Sequence, residues 1–397
     1  MPGALLLLFL AMPGMIFYLL PISSQAPGIA LALPLMAIIL AKQRQSIPYQ
    51  SIRHIAYIDG FIILHFLVAA VIQPVDATRF AGSLVLLTAV LTIALSIAPV
   101  LFDNINKSTL NAIFWGLIFC GVLGILGFQF STSNATGKPV FPYSEPSIFS
   151  LSLSPIFMFA YATSKGRSRA IYACAALGVA LLLQSFTLLV SIALIMGLCL
   201  PLRWTFVLAA AATLVIVLGA DEQIDYYAKR IDFSEDNQNL TALVYMQGWQ
   251  MIFEAWENSM GWGSGFQQLG VNSTSVEAAE IIHTISGGGS LNLRDGSFVL
   301  VKLIADFGIF GVVAVCLYLK TAISSIKELR KMAVGAIEIP PGRMLAHSVL
   351  LTFFVEIFMR GAGYLTGTGA LFIAAISYLH RTKPHTAQTR NFRKSCE

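Results

Sequence analysis

Of the 397 residues, 56% are hydrophobic and only 11% are charged, which excludes an ordinary soluble domain, where about a quarter of the residues carry charge. The net charge of +5 conceals a separation of basic and acidic segments along the chain. No motif points to ATP or nucleic acid, and no HExxH or comparable spacing suggests a metal, so no cofactor is expected.

The apolar residues occur in runs of roughly 18, long enough to cross a bilayer as helices, the form in which a backbone satisfies its own polar groups in lipid. In chain order the runs predict an all-α polytopic membrane domain over 1–397. About twelve spans are expected, at 4–20, 28–41, 55–72, 80–101, 109–128, 147–162, 170–183, 187–201, 204–219, 297–319, 344–360 and 362–379. The first run lacks a basic residue before it and a small-residue cleavage site after it, and so reads as a span and not a signal peptide. Between 170 and 201, the polar Gln184-Ser185-Phe186-Thr187 predicts a tight turn between two short helices. Cys120, Cys174, Cys199, Cys316 and Cys396 suggest no disulfide framework or CxxC pair.

Alternate loops are basic. Eighteen of the 25 Lys and Arg fall on one side, including Lys42, Arg53, Lys107, Arg169, Arg343 and the tail 380–397. The positive-inside rule then places both termini in the cytoplasm. On the other side lie a smaller loop, 129–146, and a large one, 221–296, which holds eleven of the twenty acidic residues. Within the large loop, Tyr245, Trp249, Ile252 and Trp256 recur at helical spacing, with Gln247, Gln250, Glu254 and Glu257 opposite them. This predicts an amphipathic helix over 241–258, lying in the membrane interface or packed against the bundle. No internal repeat of the transporter kind is visible.

Candidate residues lie at the large-loop side. Glu145, between Pro142 and Pro146, is either a general base at a span mouth or a helix-start signal. Arg230 and Arg294 suit a diphosphate clamp, or are neutralised by Asp232 and Asp295. Arg360 suits the same clamp or pairs with Glu356 one turn earlier. Lys302 either meets an anionic headgroup or pairs with Asp306 at i,i+4. His283 is a second candidate base or a solvated loop histidine. The run Gly261-Trp262-Gly263-Ser264-Gly265-Phe266 could offer backbone N–H groups to a phosphate or make an ordinary turn.

Four short motifs occur in a distinctive order: the Glu145-Pro146-Ser147 segment in 141–150, the serine-marked turn opening 185–200, the Trp-and-Gly stretch 247–266, and Asp306-Phe307-Gly308-Ile309-Phe310-Gly311. Together they resemble the Wzy-type O-antigen and exopolysaccharide polymerases of the O-antigen ligase/polymerase superfamily. The resemblance covers roughly 140–320. It implies a fold similar to GT-C-type lipid-dependent glycosyltransferases and a location in the bacterial inner membrane with the large loop in the periplasm. It implies as partners an undecaprenyl-diphosphate-linked oligosaccharide and membrane lipid, and allows a chain-length regulator protein. Glu145 or His283 would then be catalytic, with Arg230, Arg294, Arg360 and Lys302 binding substrate. Many relatives carry a His-Asn pair where this chain reads Arg294-Asp295-Gly296-Ser297, which favours a polymerase over an O-antigen ligase. A flippase is the reading of another class.

Overall fold

The computed structural model describes residues 1–20, 24–43, 49–129, 139–200, 239–271, 276–289, 291–333, 337–361 and 363–382. The expected span 204–219 and most of the basic tail lie outside them. Apart from one isolated bridge between Val140 and Tyr143, the regular structure of the described residues is helical.

Among the described residues, fifteen helices follow in order: α1 (Pro2–Leu10), α2 (Met12–Leu19), α3 (Ala26–Lys42), α4 (Tyr49–Ile72), α5 (Ala77–Asn104), α6 (Lys107–Ile125), α7 (Pro146–Ala162), α8 (Gly166–Leu182), α9 (Phe186–Cys199), α10 (Leu240–Asn258), α11 (Glu277–Ile285), α12 (Val299–Phe307), α13 (Ile309–Ala333), α14 (Pro341–Phe358) and α15 (Gly367–Arg381). Five of these, α4, α5, α6, α13 and α14, are long and apolar enough to cross a membrane, and α1 with α2 makes a sixth, bent by 42°. Helices α3, α7 and α9 are apolar but shorter.

The core is the packing of α7 on α14. Nearly every residue of both is buried, from Phe149 through Ala162 and from Met344 through Phe353. Helices α5, α6, α9 and α15 surround them. By contrast α4 and α13 expose apolar side chains such as Leu64, Leu67, Val71, Val313 and Leu317. An apolar surface of that kind suits lipid, not water.

The expected turn between two short helices is present. Gln184 takes a positive φ of 53°, and the Ser185 side chain caps α9 while its hydroxyl meets that of Ser150 at 2.8 Å. The expected single span 297–319 is instead broken. Gly308 adopts φ 55° and separates α12 from α13. A side chain there would overlap the Gly261 carbonyl oxygen, and one at Gly311 would overlap the Leu303 carbonyl. The two glycines of the Asp306-to-Gly311 motif therefore serve a chain reversal and a close helix–helix approach.

The amphipathic helix is observed as α10, with a rotated face. Val244, Gln247, Gly248, Met251, Ile252 and Ala255 are buried, whereas Trp249 and Trp256 remain 37% and 38% exposed. Gln247, expected on the polar face, is buried because its amide donates to the Leu291 carbonyl at 3.1 Å. Gly248 brings α10 against Val301 and Phe298, so the helix packs on α12.

The bundle has two distinct ends. At one, Lys107 bonds the Thr163 carbonyl, Arg169 the Ser164 carbonyl, Arg343 forks onto Glu328, and Arg381 meets Ser51. At the other lie Arg79, Glu145, Arg294, Lys302 and Arg360.

Gly308→Ala is expected to lower the unfolding temperature in detergent by at least several degrees, or to prevent folding. Gly60→Ala on α4, where a Cβ meets nothing within 4 Å, should leave it equal or higher, since alanine exceeds glycine in a helix by about 1 kcal/mol. Thermal unfolding followed by tryptophan fluorescence checks both.

Candidate functional site

Pro146 opens α7 and leaves Glu145 as its N-cap in extended backbone, with no side-chain capping bond. The carboxylate turns instead to Arg360, just past the end of α14: Arg360 Nη2 donates to Glu145 Oε1 at 2.7 Å, and Arg360 Nε reaches Ser147 Oγ at 3.4 Å. The two side chains stay 25% and 31% exposed. Burial pushes the Glu145 carboxyl up, but the Arg360 charge and the hydrogen bonds from Ser147 and Arg360 outweigh it and hold it below its ordinary value. The Glu145 charge raises Arg360 in turn. The expected Glu356–Arg360 pair is not formed; Glu356 accepts from Thr368 at 2.9 Å.

Residues on either side of Arg360 reach the start of α12. Gly361 N–H donates to the Ser297 carbonyl, and the Ser297 hydroxyl to the Val244 carbonyl at 2.7 Å. Gly363, at φ 87°, passes so close to Lys302 that a Cβ would stand 3.3 Å from its Nζ. Lys302 is fully buried. Its ammonium donates to the Arg294 carbonyl at 3.0 Å and to Asp295 at 3.4 Å, and lies 5.5 Å from the Tyr364 ring centroid. The expected Lys302–Asp306 pair is therefore replaced. Asp306 accepts from the backbone N–H groups of Gln267 and Leu269, at 3.0 and 3.1 Å, and from the Tyr364 hydroxyl at 3.2 Å.

Arg79 joins this cluster, a role that sequence reasoning missed. It donates to the Leu269 carbonyl at 3.2 Å and, beside Lys302, to the Arg294 carbonyl at 3.1 Å. Asp76 caps α5 through the Arg79 N–H, and the Gln268 amide clasps the Asp76 backbone by both its oxygen and its nitrogen. The signal available was Asp76-Ala77-Thr78-Arg79, a helix N-cap with an arginine in the first turn at the start of a span. The Arg294 side chain itself is exposed, with no hydrogen bond or ion pair among the described residues.

Other expected features fall elsewhere. Arg230 lies outside the described residues. His283 is exposed at the end of α11, which docks on α10 through Ile282, and it makes no hydrogen bond or ion pair with Glu145 or Arg360. The glycine run offers little to a phosphate. The N–H groups of Gly261, Trp262, Gly263, Ser264 and Gly265 already donate to Trp256, Ser259, Ser259, Ala305 and Asp306. No group of three His, Cys, Asp or Glu side chains placed for a metal occurs among the described residues.

The arrangement combines a carboxylate held by a guanidinium, a guanidinium unpaired among the described residues, and two cations that share one neutral carbonyl, one of them also near Asp295. Such a site attracts an anion with several oxygens. No protein-family model matches the sequence, and no curated protein is significantly similar to it.

The Glu145–Arg360 pair should be measurable as a coupling. Because the Glu145 carboxyl is held low, its contribution to stability is present above its ordinary value near 4.5 and is lost as pH falls through the lowered one. A double-mutant cycle of Glu145→Gln and Arg360→Met in thermal or denaturant unfolding should give about 1–3 kcal/mol near neutral pH. The coupling should shrink on acidification below about pH 4.

Proposed function

We propose that this chain is a glycan polymerase of the bacterial inner membrane, with about twelve spans, both termini cytoplasmic and the large loop periplasmic. It would transfer a growing glycan from undecaprenyl diphosphate to a hydroxyl of a new lipid-linked repeat unit. The observation that carries this reading is the Arg360–Glu145 pair, formed across the sequence at one mouth of an apolar bundle, where the Gly361–Ser297 hydrogen bond ties it to the stretch that carries Arg294 and Lys302. A lipid diphosphate lying at the bilayer surface presents its charge at that depth. The ordered motifs that resemble Wzy-type polymerases name the chemistry; the charge cluster supplies groups suited to it.

Glycosyl transfer of this kind needs positive groups for the departing diphosphate and a base or orienting group for the acceptor. Arg360, Arg294 and Arg230 are assigned the first task, with Lys302 and Arg79 raising the local potential. Glu145 is the preferred base over the solvent-facing His283. A diphosphate that draws Arg360 to itself releases Glu145 to accept a hydrogen bond from the acceptor hydroxyl. The glycosidic bond to the new unit forms as the bond to the diphosphate breaks. The acceptor proton passes through Glu145 to the leaving group or solvent.

Deletion of the gene should reduce lipopolysaccharide or its analogue to a single-repeat band without a ladder. Loss of all glycan on lipid A–core with lipid-linked polymer accumulating would indicate a ligase, and loss of repeats from the periplasm a flippase. Arg230→Ala, Arg294→Ala and Arg360→Ala should preserve expression yet shorten or abolish the ladder. Unchanged ladders in all three would remove the clamp.

A further inference from the structure

Glu356 stands one turn before Arg360 but faces the other way, into the bundle. It is 3% exposed and forms no ion pair among the described residues. Its Oε2 accepts from the Thr368 hydroxyl at 2.9 Å, and no described group donates to Oε1. The N-terminus of α15 lends a partial positive charge nearby, through the first turn that holds Thr368. That accounts for one oxygen. A buried carboxylate with no further compensation is costly, and membrane bundles that retain one use it.

Three independent observations surround it. First, Glu356 and Thr368 line two adjoining cavities of ≈ 20 Å³ and ≈ 10 Å³, the larger with room for about one water-sized guest. Second, Gln25 lines the larger cavity at 8% exposure, and its carboxamide makes no hydrogen bond among the described residues. Third, two prolines remove backbone donors at this place. Pro13 has no N–H for the Phe9 carbonyl and Pro155 none for the Leu151 carbonyl, and both Phe9 and Leu151 line the larger cavity. Gly367 lets the start of α15 approach the break between α1 and α2, since a side chain there would overlap the Phe9 carbonyl oxygen. Thr366 Oγ1 lies 3.3 Å from Thr368 Oγ1.

The lining is thus one carboxylate, four hydroxyls (Ser152, Thr352, Thr366 and Thr368), one carboxamide and backbone oxygen, with no ammonium or guanidinium. Divalent ions such as calcium take 6–8 oxygens and gather several carboxylates. A single negative charge among neutral oxygens balances a single positive one. The geometry points to a site for one dehydrated monovalent cation of sodium size, held by Glu356 with Gln25, Thr366 and Thr368 where the α1–α2 break, α7, α14 and α15 meet. The site lies apart from the Arg360 cluster and does not depend on the glycan reading.

The test is thermal unfolding of the full chain in detergent at fixed ionic strength, with sodium, potassium or choline chloride. Sodium should raise the unfolding temperature saturably and choline should not. Acidification should raise the half-effective sodium concentration, because protons compete for the same carboxylate. Glu356→Gln should abolish the sodium response. Gln25→Leu and Thr368→Val, which keep the carboxylate, should weaken it severalfold, and they decide the matter if Glu356→Gln fails to fold. Equal unfolding temperatures in the three salts would overturn the site. So would a pH response without a sodium response, the mark of a protonation site only, or an unaltered sodium response in Gln25→Leu and Thr368→Val.

Discussion

The buried carboxylate of Asp306 organises the large-loop end of this protein. It is fully buried in α12, and each oxygen is held by the backbone of the 259–271 loop, with the Tyr364 hydroxyl as a third donor. Hydrogen bonds to an ionised carboxylate are stronger than neutral ones, and an unpaired one in such a place would be prohibitive. Three segments remote in sequence are thereby fixed to one point. The loop carries Gln268 and the Leu269 carbonyl, which position Asp76 and Arg79. Tyr364 belongs to the segment that delivers Arg360 to Glu145. Gly308 and Gly311 then let the chain turn away from this anchor into α13.

Around the anchor, among the described residues, cations outnumber the carboxylates that directly neutralise them. Lys302 and Arg79 share the Arg294 carbonyl, Lys302 has Asp295 at the longer distance of 3.4 Å, and the Arg294 side chain has no partner among the described residues. At the opposite end, Arg343 forks onto Glu328, which also meets His347 at 3.1 Å. An unpaired guanidinium at the mouth of a low-dielectric bundle is an invitation to an anion, since screening by water is weaker there.

Helical pairing rules misled at two places, for the same reason. Lys302 and Asp306, and Glu356 and Arg360, stand at i,i+4, where an exposed pair gains about 0.2–0.5 kcal/mol. Tertiary partners exceed that easily. Asp306 gains two backbone N–H donors, and Arg360 gains Glu145 at 2.7 Å. The glycine run was ambiguous because free and occupied N–H groups read alike in a sequence; here they are occupied by α12 and by local turns. The aromatic stripe of α10 was legible as a helix, but its buried face is set by Gly248, which admits Val301 and Phe298.

By itself the sequence determined the apolar helices, the turn at Gln184 and Ser185, the amphipathic α10 and the sorting of basic residues toward alternate loops. Each of these depends on local composition and on the periodicity of a helix, which neighbours in sequence suffice to set. Only the tertiary structure decided which charges meet. It paired Glu145 with Arg360, recruited Arg79, left Glu356 facing a cavity and turned His283 to solvent. Those outcomes depend on burial, and burial is a property of how α7, α12, α14 and α15 pack, not of any one stretch of chain.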